Sequence, residues 1–402
     1  MRKIIDSTLG IVFLIFFFNR VGLPYGLKFS IILAPFFAFY LLKNNKLLRL
    51  FLPFYFFATY TLIHFYQGVV FKDFIVSTLV LFTLLIFLVS FYSFYKKSSD
   101  ISAFVQRITE VNFGLTILAF ISLFSGFQLS LFWYLEPFTP GYEVLPRLKM
   151  FELEASHYSF LILPLFFYYF WTLLKEWSVK NFFYLLSLLI SLLFSFSLGI
   201  LAVIVISLGI VLVVHSVKLM KLKPTRNKLI FVMLAGSIAL LGLFVFFPEN
   251  PLAFRIQNLL AGNDTSGRGR TYEAFEIGWQ VLNQHNPLVG IGLGQFKIVG
   301  RETLIYYYKF ANMPEVARLP NAMAETMVVY GIVGFSLKLL VQIGLFIRLK
   351  VYQNMFQFSL FVSLFVYQFT GSYLFNEMEY VFWIMAFVPK LHTFRTSNYF
   401  KK

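Results

Sequence analysis

Long apolar runs separated by short basic turns fill most of this chain. A bilayer crossing takes about 20 largely apolar residues. On that rule the runs at 4–20, 27–42, 47–67, 74–95, 105–125 and 157–175 predict membrane helices, as do 181–197, 199–217, 229–247, 321–347, 354–371 and 377–391. The expectation is an all-α polytopic integral membrane protein with about twelve transmembrane helices. Residues 181–220 are too long for one span, so a break is expected at Ser195-Phe196-Ser197-Leu198-Gly199, where serine and glycine permit a tight reversal. The run after Met1-Arg2-Lys3 has the basic start of a leader but no small-residue cleavage site, and it reads as the first span.

Two polar stretches, 126–156 and 248–320, interrupt what is otherwise one polytopic membrane domain over 1–402. With the N-terminus inside, the cytoplasmic turns collect Lys43, Lys46, Arg49, Lys96, Lys97, Lys175, Lys180, Lys218, Lys221, Lys223, Arg226, Lys228, Arg348 and Lys350. Basic residues gather on cytoplasmic turns, so both termini are expected in the cytoplasm and both polar stretches outside it. The second stretch departs from this bias, carrying Arg255, Arg268, Arg270, Lys297, Arg301, Lys309 and Arg318. Long loops translocate largely regardless of charge; clustered external arginines point to an anionic ligand.

Charged residues make up 13% of the chain, against about 25% in soluble domains, which agrees with a membrane protein. The formal charge of +16 follows from the orientation rule, and no nucleic-acid partner is expected. With no cysteine, disulfides, zinc–thiolate sites and thiol nucleophiles are excluded. Five well-separated histidines and the lack of an Asp-x-Asp motif in the loops predict neither a metal site nor a cofactor.

Within 248–320 the spacing of Thr271, Tyr272, Phe275, Ile277, Gly278, Trp279, Val281 and Leu282 predicts an amphipathic helix, with Thr265 and Ser266 as caps. Arg268 and Arg270 then stand at its entrance, where free N–H groups and the helix dipole favour anions. Arginine's planar fork matches phosphate oxygens; the alternative is that these arginines solvate the loop or meet lipid headgroups. Asn286-Pro287 ends the helix, and Gly290, Gly292 and Gly294 follow. A dinucleotide fingerprint needs a strand before and a helix after within a βαβ unit, which this context lacks. The glycines are expected to let the backbone pass close to a helix or a ligand.

These residues resemble the bacterial O-antigen polymerase/ligase superfamily of Wzy polymerases and WaaL ligases. The family pattern of Arg, a tryptophan-bearing helix and Pro-x-x-Gly-x-Gly-x-x-x-Phe is met by Arg270, Trp279, Pro287, Gly290, Gly292 and Phe296. A later His-Asn and Gly-x-x-Gly frame is met by Asn321, Gly331 and Gly334, with Pro320 in place of the histidine. Phe151-Glu152-Leu153-Glu154-Ala155-Ser156 resembles the polymerase Glu-Pro-Ser element, with Ala155 where proline stands, and Asn376-Glu377-Met378-Glu379 also looks polymerase-like.

The resemblance implies a GT-C-like glycosyltransferase architecture in the bacterial inner membrane. It also implies metal-independent transfer from an undecaprenyl-pyrophosphate-linked oligosaccharide outside the cytoplasm, with a chain-length regulator as a candidate membrane partner. On that reading Arg268, Arg270, Arg318 and Arg147 would hold the pyrophosphate. Glu154 or Glu325 would serve as base, His157 would assist one turn beyond Glu154, and Asn321 and Tyr272 would meet sugar. Either carboxylate could instead be paired with Arg147 or Arg318, and Tyr272, Tyr306, Tyr307 and Tyr308 could form an interfacial aromatic belt. The expected activity is polymerisation of repeat units. The competing readings are a ligase of the same family and a flippase for lipid-linked sugars.

Overall fold

The computed structural model describes residues 17–19, 28–43, 59–98, 100–126, 129–135, 146–221, 227, 234, 236–238, 241–242, 244–246, 251–261, 265–309 and 318–399. Helix α1 (Ala34–Lys43) and the helical residues 59–66 precede α2 (Phe71–Lys97) and α3 (Ile101–Ser125). A two-stranded antiparallel pair, β1 (Trp133–Tyr134) and β2 (Arg147–Leu148), leads into α4 (Ala155–Leu161), α5 (Leu163–Lys175), α6 (Val179–Phe194) and α7 (Leu198–Lys221). The second polar stretch contains α8 (Pro251–Leu260), α9 (Thr265–Arg270), α10 (Tyr272–Asn283) and α11 (Phe296–Tyr308). The chain then runs through α12 (Ala322–Arg348), α13 (Met355–Tyr367) and α14 (Glu377–Phe387).

Short polar side chains decide where several of these helices start. Asp100, Ser178, Asn321, Asn354 and Asn376 each accept a hydrogen bond from a first-turn N–H of the helix that follows, the usual N-cap arrangement. Gly126, at φ +72°, ends α3 in the left-handed conformation that glycine adopts without a Cβ clash.

Among the described residues, α2, α3, α12 and Leu198–Val217 of α7 are long and apolar enough to cross a membrane, and α4 with α5, bent by 41°, meets the same test only as a pair, either a broken span or a re-entrant loop. The bend falls where Pro164 removes an N–H and crowds the carbonyl four residues back. The other expected spans come out differently. Those at 4–20 and 229–247, and most of 47–67, lie outside the residues fully described. The runs at 27–42, 181–197, 354–371 and 377–391 yield the shorter helices α1, α6, α13 and α14. Helix α13 packs against α5, α7 and α14 and is buried along nearly its whole length. A helix enclosed by protein has no bilayer thickness to match, and non-helical backbone beyond its end is tolerated where protein surrounds it.

The expected break between α6 and α7 is present at 195–197. It separates a helix that packs on α5 and α3 from one that packs on α13. The expected span at 321–347 is present as α12, but it is kinked rather than continuous. Gly331, at φ +67° and ψ −172°, interrupts α12, and the cause lies in the polar stretch described next.

Candidate functional site

Breaking a helix orphans carbonyls before the break and N–H groups after it, and buried orphans cost about 1–3 kcal/mol each. In α12 the Pro287–Gly292 segment supplies partners on both sides of the break. Ile291 N–H donates to the Val328 carbonyl (3.0 Å) and Gly292 N–H to that of Val329 (3.1 Å). Ile332 N–H donates to the Pro287 carbonyl (2.9 Å) and Val333 N–H to that of Leu288 (3.1 Å). Contact this close leaves no room for side chains. A Cβ on Gly290 would stand 2.5 Å from both Gly331 N and Val329 O, and one on Gly331 would overlap the Leu288 carbonyl.

On its other side the segment rests on the start of α2. His64 Nε2 meets the Val289 carbonyl (2.8 Å), the Gln295 amide oxygen accepts from Val70 N–H (2.9 Å), and Lys297 pairs with Asp73 (2.5 Å). The glycines therefore let backbone pass between two helices. A small separate core built on Ala274, Ile277, Val281, Ile291, Phe296, Leu304 and Val328 joins α10 and α11 to the first half of α12.

The scaffold so fixed presents α9, with both arginines, over the N-terminus of α12. Thr271, with φ −111° and ψ −110°, occupies the cap position of α10 but makes no side-chain cap. The start of the predicted helix is thus not at Thr265 or Ser266: those residues open the separate short helix α9. Thr271 Oγ1 donates back to the Gly267 carbonyl (2.9 Å), so the hydroxyl serves the end of α9.

The two arginines differ in their surroundings. Arg268 Nε lies 3.5 Å from Glu273 Oε1, while the other oxygen of that buried carboxylate accepts from the Tyr308 hydroxyl (3.0 Å). The half-buried Arg270 side chain has no hydrogen bond or ion pair among the described residues. Its backbone is held firmly, since Asn321 Nδ2 donates to the Arg270 carbonyl (2.9 Å) and to that of Phe369 (2.6 Å). Asn321 is fully buried and its Oδ1 caps α12, so its amide joins three segments beneath Arg270.

The turn 368–376 is the meeting point. Glu154 from the first polar stretch, Arg270 and Arg318 from the second, and Glu325 from α12 all act electrostatically on Tyr373. The Arg318 guanidinium lies over the Tyr373 ring at 6.0 Å. Burial, and then the Glu154 charge, raises the Tyr373 hydroxyl above its ordinary range, so it remains a protonated donor at neutral pH.

The two candidate carboxylates are not equivalent. Glu325 Oε2 accepts from Leu374 N–H (2.6 Å) and braces the turn. Glu154 is exposed, and among the described residues its carboxylate accepts only from the Ser156 hydroxyl (3.0 Å). His157 lies one turn further on in α4 and is half-buried. Arg147 faces away from this cluster to the α6–α7 break, where its Nε donates to the Ser195 carbonyl (3.1 Å). Tyr272 is 57% exposed and neighbours Tyr307. Tyr307 and Tyr308 donate to Glu276 (2.7 Å) and Glu273, and the Glu276 hydrogen bond pushes Tyr307 up to about 12.

Lys338, not singled out from the sequence, completes the support. Lys338 lies 3.9 Å from Glu379, whose oxygens also accept from Ser372 (2.5 Å) and Trp383 (3.3 Å). This pairing ties the second half of α12 to the turn that carries Tyr373. Lys338 is a lone charge in an apolar run, and such charges are costly unless paired or functional; that was the available signal.

Residues 182–339 match the family model described as O-antigen ligase. No curated protein matches the chain. The matched region holds α9, α10, the glycine segment and the break in α12. The match covers less than half of the chain and supports the O-antigen polymerase/ligase superfamily, and with it a role in O-antigen or related polysaccharide assembly.

Proposed function

We propose that this chain is a polymerase joining polyprenyl-pyrophosphate-linked oligosaccharide repeat units on the outer side of the cytoplasmic membrane. The observation that carries the reading is Arg270, a half-buried cation with no anionic partner among the described residues, set where both polar stretches meet the 368–376 turn. An unpaired guanidinium in such a place suits an anion that arrives and departs, as a pyrophosphate leaving group does. Arg318 adds a second positive charge, and Arg268 a third once the ligand competes with Glu273. Arg147, held at the α6–α7 break, is left out of the pyrophosphate site, and Tyr272 offers an exposed ring to sugar.

The transfer needs a base for the acceptor hydroxyl. Glu154 fits because its carboxylate is exposed and lightly held, whereas Glu325 is committed to the turn backbone. As the acceptor oxygen bonds to the anomeric carbon, its proton passes to Glu154 and the sugar–phosphate bond breaks toward Arg270. His157 and Tyr373 border the acceptor, and Asn321 positions Arg270 from beneath.

Purified protein in liposomes, given a single lipid-linked repeat unit in excess EDTA, is expected to yield a ladder of products. A single addition to a different lipid acceptor, with no ladder, would identify the ligase reading. Flipping without transfer would identify the transporter reading. Activity lost in EDTA and restored by magnesium would remove the metal-independent mechanism.

The topology can be checked separately because the chain has no cysteine. Tyr306, 85% exposed on α11, is expected as Tyr306→Cys to react with a membrane-impermeant maleimide on intact cells. Labelling only after permeabilisation would put this stretch on the wrong side for the proposed chemistry.

A further inference from the structure

A cavity of about 380 Å³ lies away from the Tyr373 cluster, between α3, the end of the first polar stretch and α4. Helix α4 separates the two sites: Tyr158 and Leu161 line the cavity, while Phe160 stacks on Tyr367 toward the 368–376 turn (4.5 Å). The cavity walls are largely apolar, with Phe17, Phe18, Phe104, Ile108 and Phe151 among them.

Two polar groups on α3 flank this apolar stripe with capacity unspent. Arg107 is exposed and has no side-chain hydrogen bond or ion pair among the described residues. Asn112 is 9% exposed; its Oδ1 accepts from the Tyr158 hydroxyl (3.0 Å), but its buried Nδ2 has no acceptor among the described residues. A buried donor left unmatched calls for a missing partner. Two acids also line the cavity. Glu110 accepts from Gln106 (2.8 Å), Lys180 (3.1 Å) and Tyr184 (3.1 Å), and Glu152 is buried with Lys149 as its charged neighbour.

The position of Arg107 narrows the ligand class. It lies about 10 Å along the axis from the start of α3, within reach of a headgroup layer for a side chain that extends its charge toward the interface. The same end of the bundle carries Lys96 and Lys97 at the end of α2, Lys180 on Glu110, and Lys390, which donates to the Ser98 carbonyl (2.8 Å). Such a basic collar attracts anionic lipid.

We infer that this cavity is a specific site for one anionic bilayer phospholipid. Its phosphate would sit on Arg107, an ester carbonyl would accept from Asn112 Nδ2, and a chain would continue inward past Val111 and Leu115. The site is independent of the proposed transfer chemistry.

Native mass spectrometry of the full-length protein in detergent, titrated with phosphatidylglycerol or phosphatidylcholine of identical chains, tests this directly. Wild-type protein is expected to retain one phosphatidylglycerol with roughly fivefold preference. Arg107→Ala should bind both lipids alike. Val111→Trp, which fills the cavity from a position 43% exposed, should lose both while staying monodisperse and helical. An unchanged preference in Arg107→Ala, equal retention of the two lipids by wild type, or full binding by Val111→Trp would each overturn the assignment. Should Val111→Trp not fold, the headgroup preference of Arg107→Ala decides alone.

Discussion

Arg270→Ala is expected to abolish polymer while leaving the protein inserted and folded. Its guanidinium has no protein partner among the described residues, so removing it leaves no orphaned carboxylate and costs little stability. The loss falls on the reaction. A preorganised charge at a developing anion contributes about 10²–10³-fold to rate, and the variant should fall by that much. Arg270→Lys should recover little, because a point charge cannot reproduce the two-pronged contact with phosphate oxygens. Arg268→Ala should lose less, since Glu273 already neutralises part of that charge. Arg301→Ala, exposed on α11, should match wild type. The chain-length ladder from cells with equal protein levels measures all four. A wild-type ladder from Arg270→Ala would remove Arg270 from the site and leave the proposed mechanism without its anchor.

Gly331→Ala should have the second large effect, on folding. The backbone at Gly331 occupies a region open essentially to glycine alone, worth about 1–3 kcal/mol of strain for any other residue. The new methyl would also meet the Leu288 carbonyl and Val289 nitrogen, which are backbone atoms without a rotamer to yield. Relieving the overlap means withdrawing Pro287–Gly292 and exposing the four hydrogen bonds across the break. The expected cost is therefore above ~3 kcal/mol, read as loss of monodisperse protein after extraction. Gly344→Ala, in the same helix with nothing within 4 Å, should be neutral. Equal stability of the two variants would show that the clasp does not hold the helix break.

Much of this was legible along the chain. Apolar run length marked α2, α3, α7 and α12 as crossings, because a bilayer imposes one minimum length on any helix exposed to it. Spacing alone marked α10, and Ser195–Gly199 marked the α6–α7 break. Gly290, Gly292 and Gly294 announced close backbone approach, although not what they approach. The arginines announced an anion, although Arg268 and Arg270 looked alike.

What the linear pattern left open was every relation between distant segments. An unbroken apolar run predicted one helix at 321–347; the break at Gly331 exists because residues forty positions earlier take over its hydrogen bonds. Glu154 and Glu325 were interchangeable as candidates until the turn at 368–376 claimed one of them through Leu374. Asn321 looked like a ligand for sugar and turned out to be the buried joint beneath Arg270. Lys338 and Glu379 drew no notice as a pair because they come from different helices. Composition and periodicity report how each segment meets its solvent, whether lipid, water or core. Which cation stays unpaired, and which carboxylate stays free, depends on partners supplied from elsewhere in the chain, and only the tertiary structure decides those.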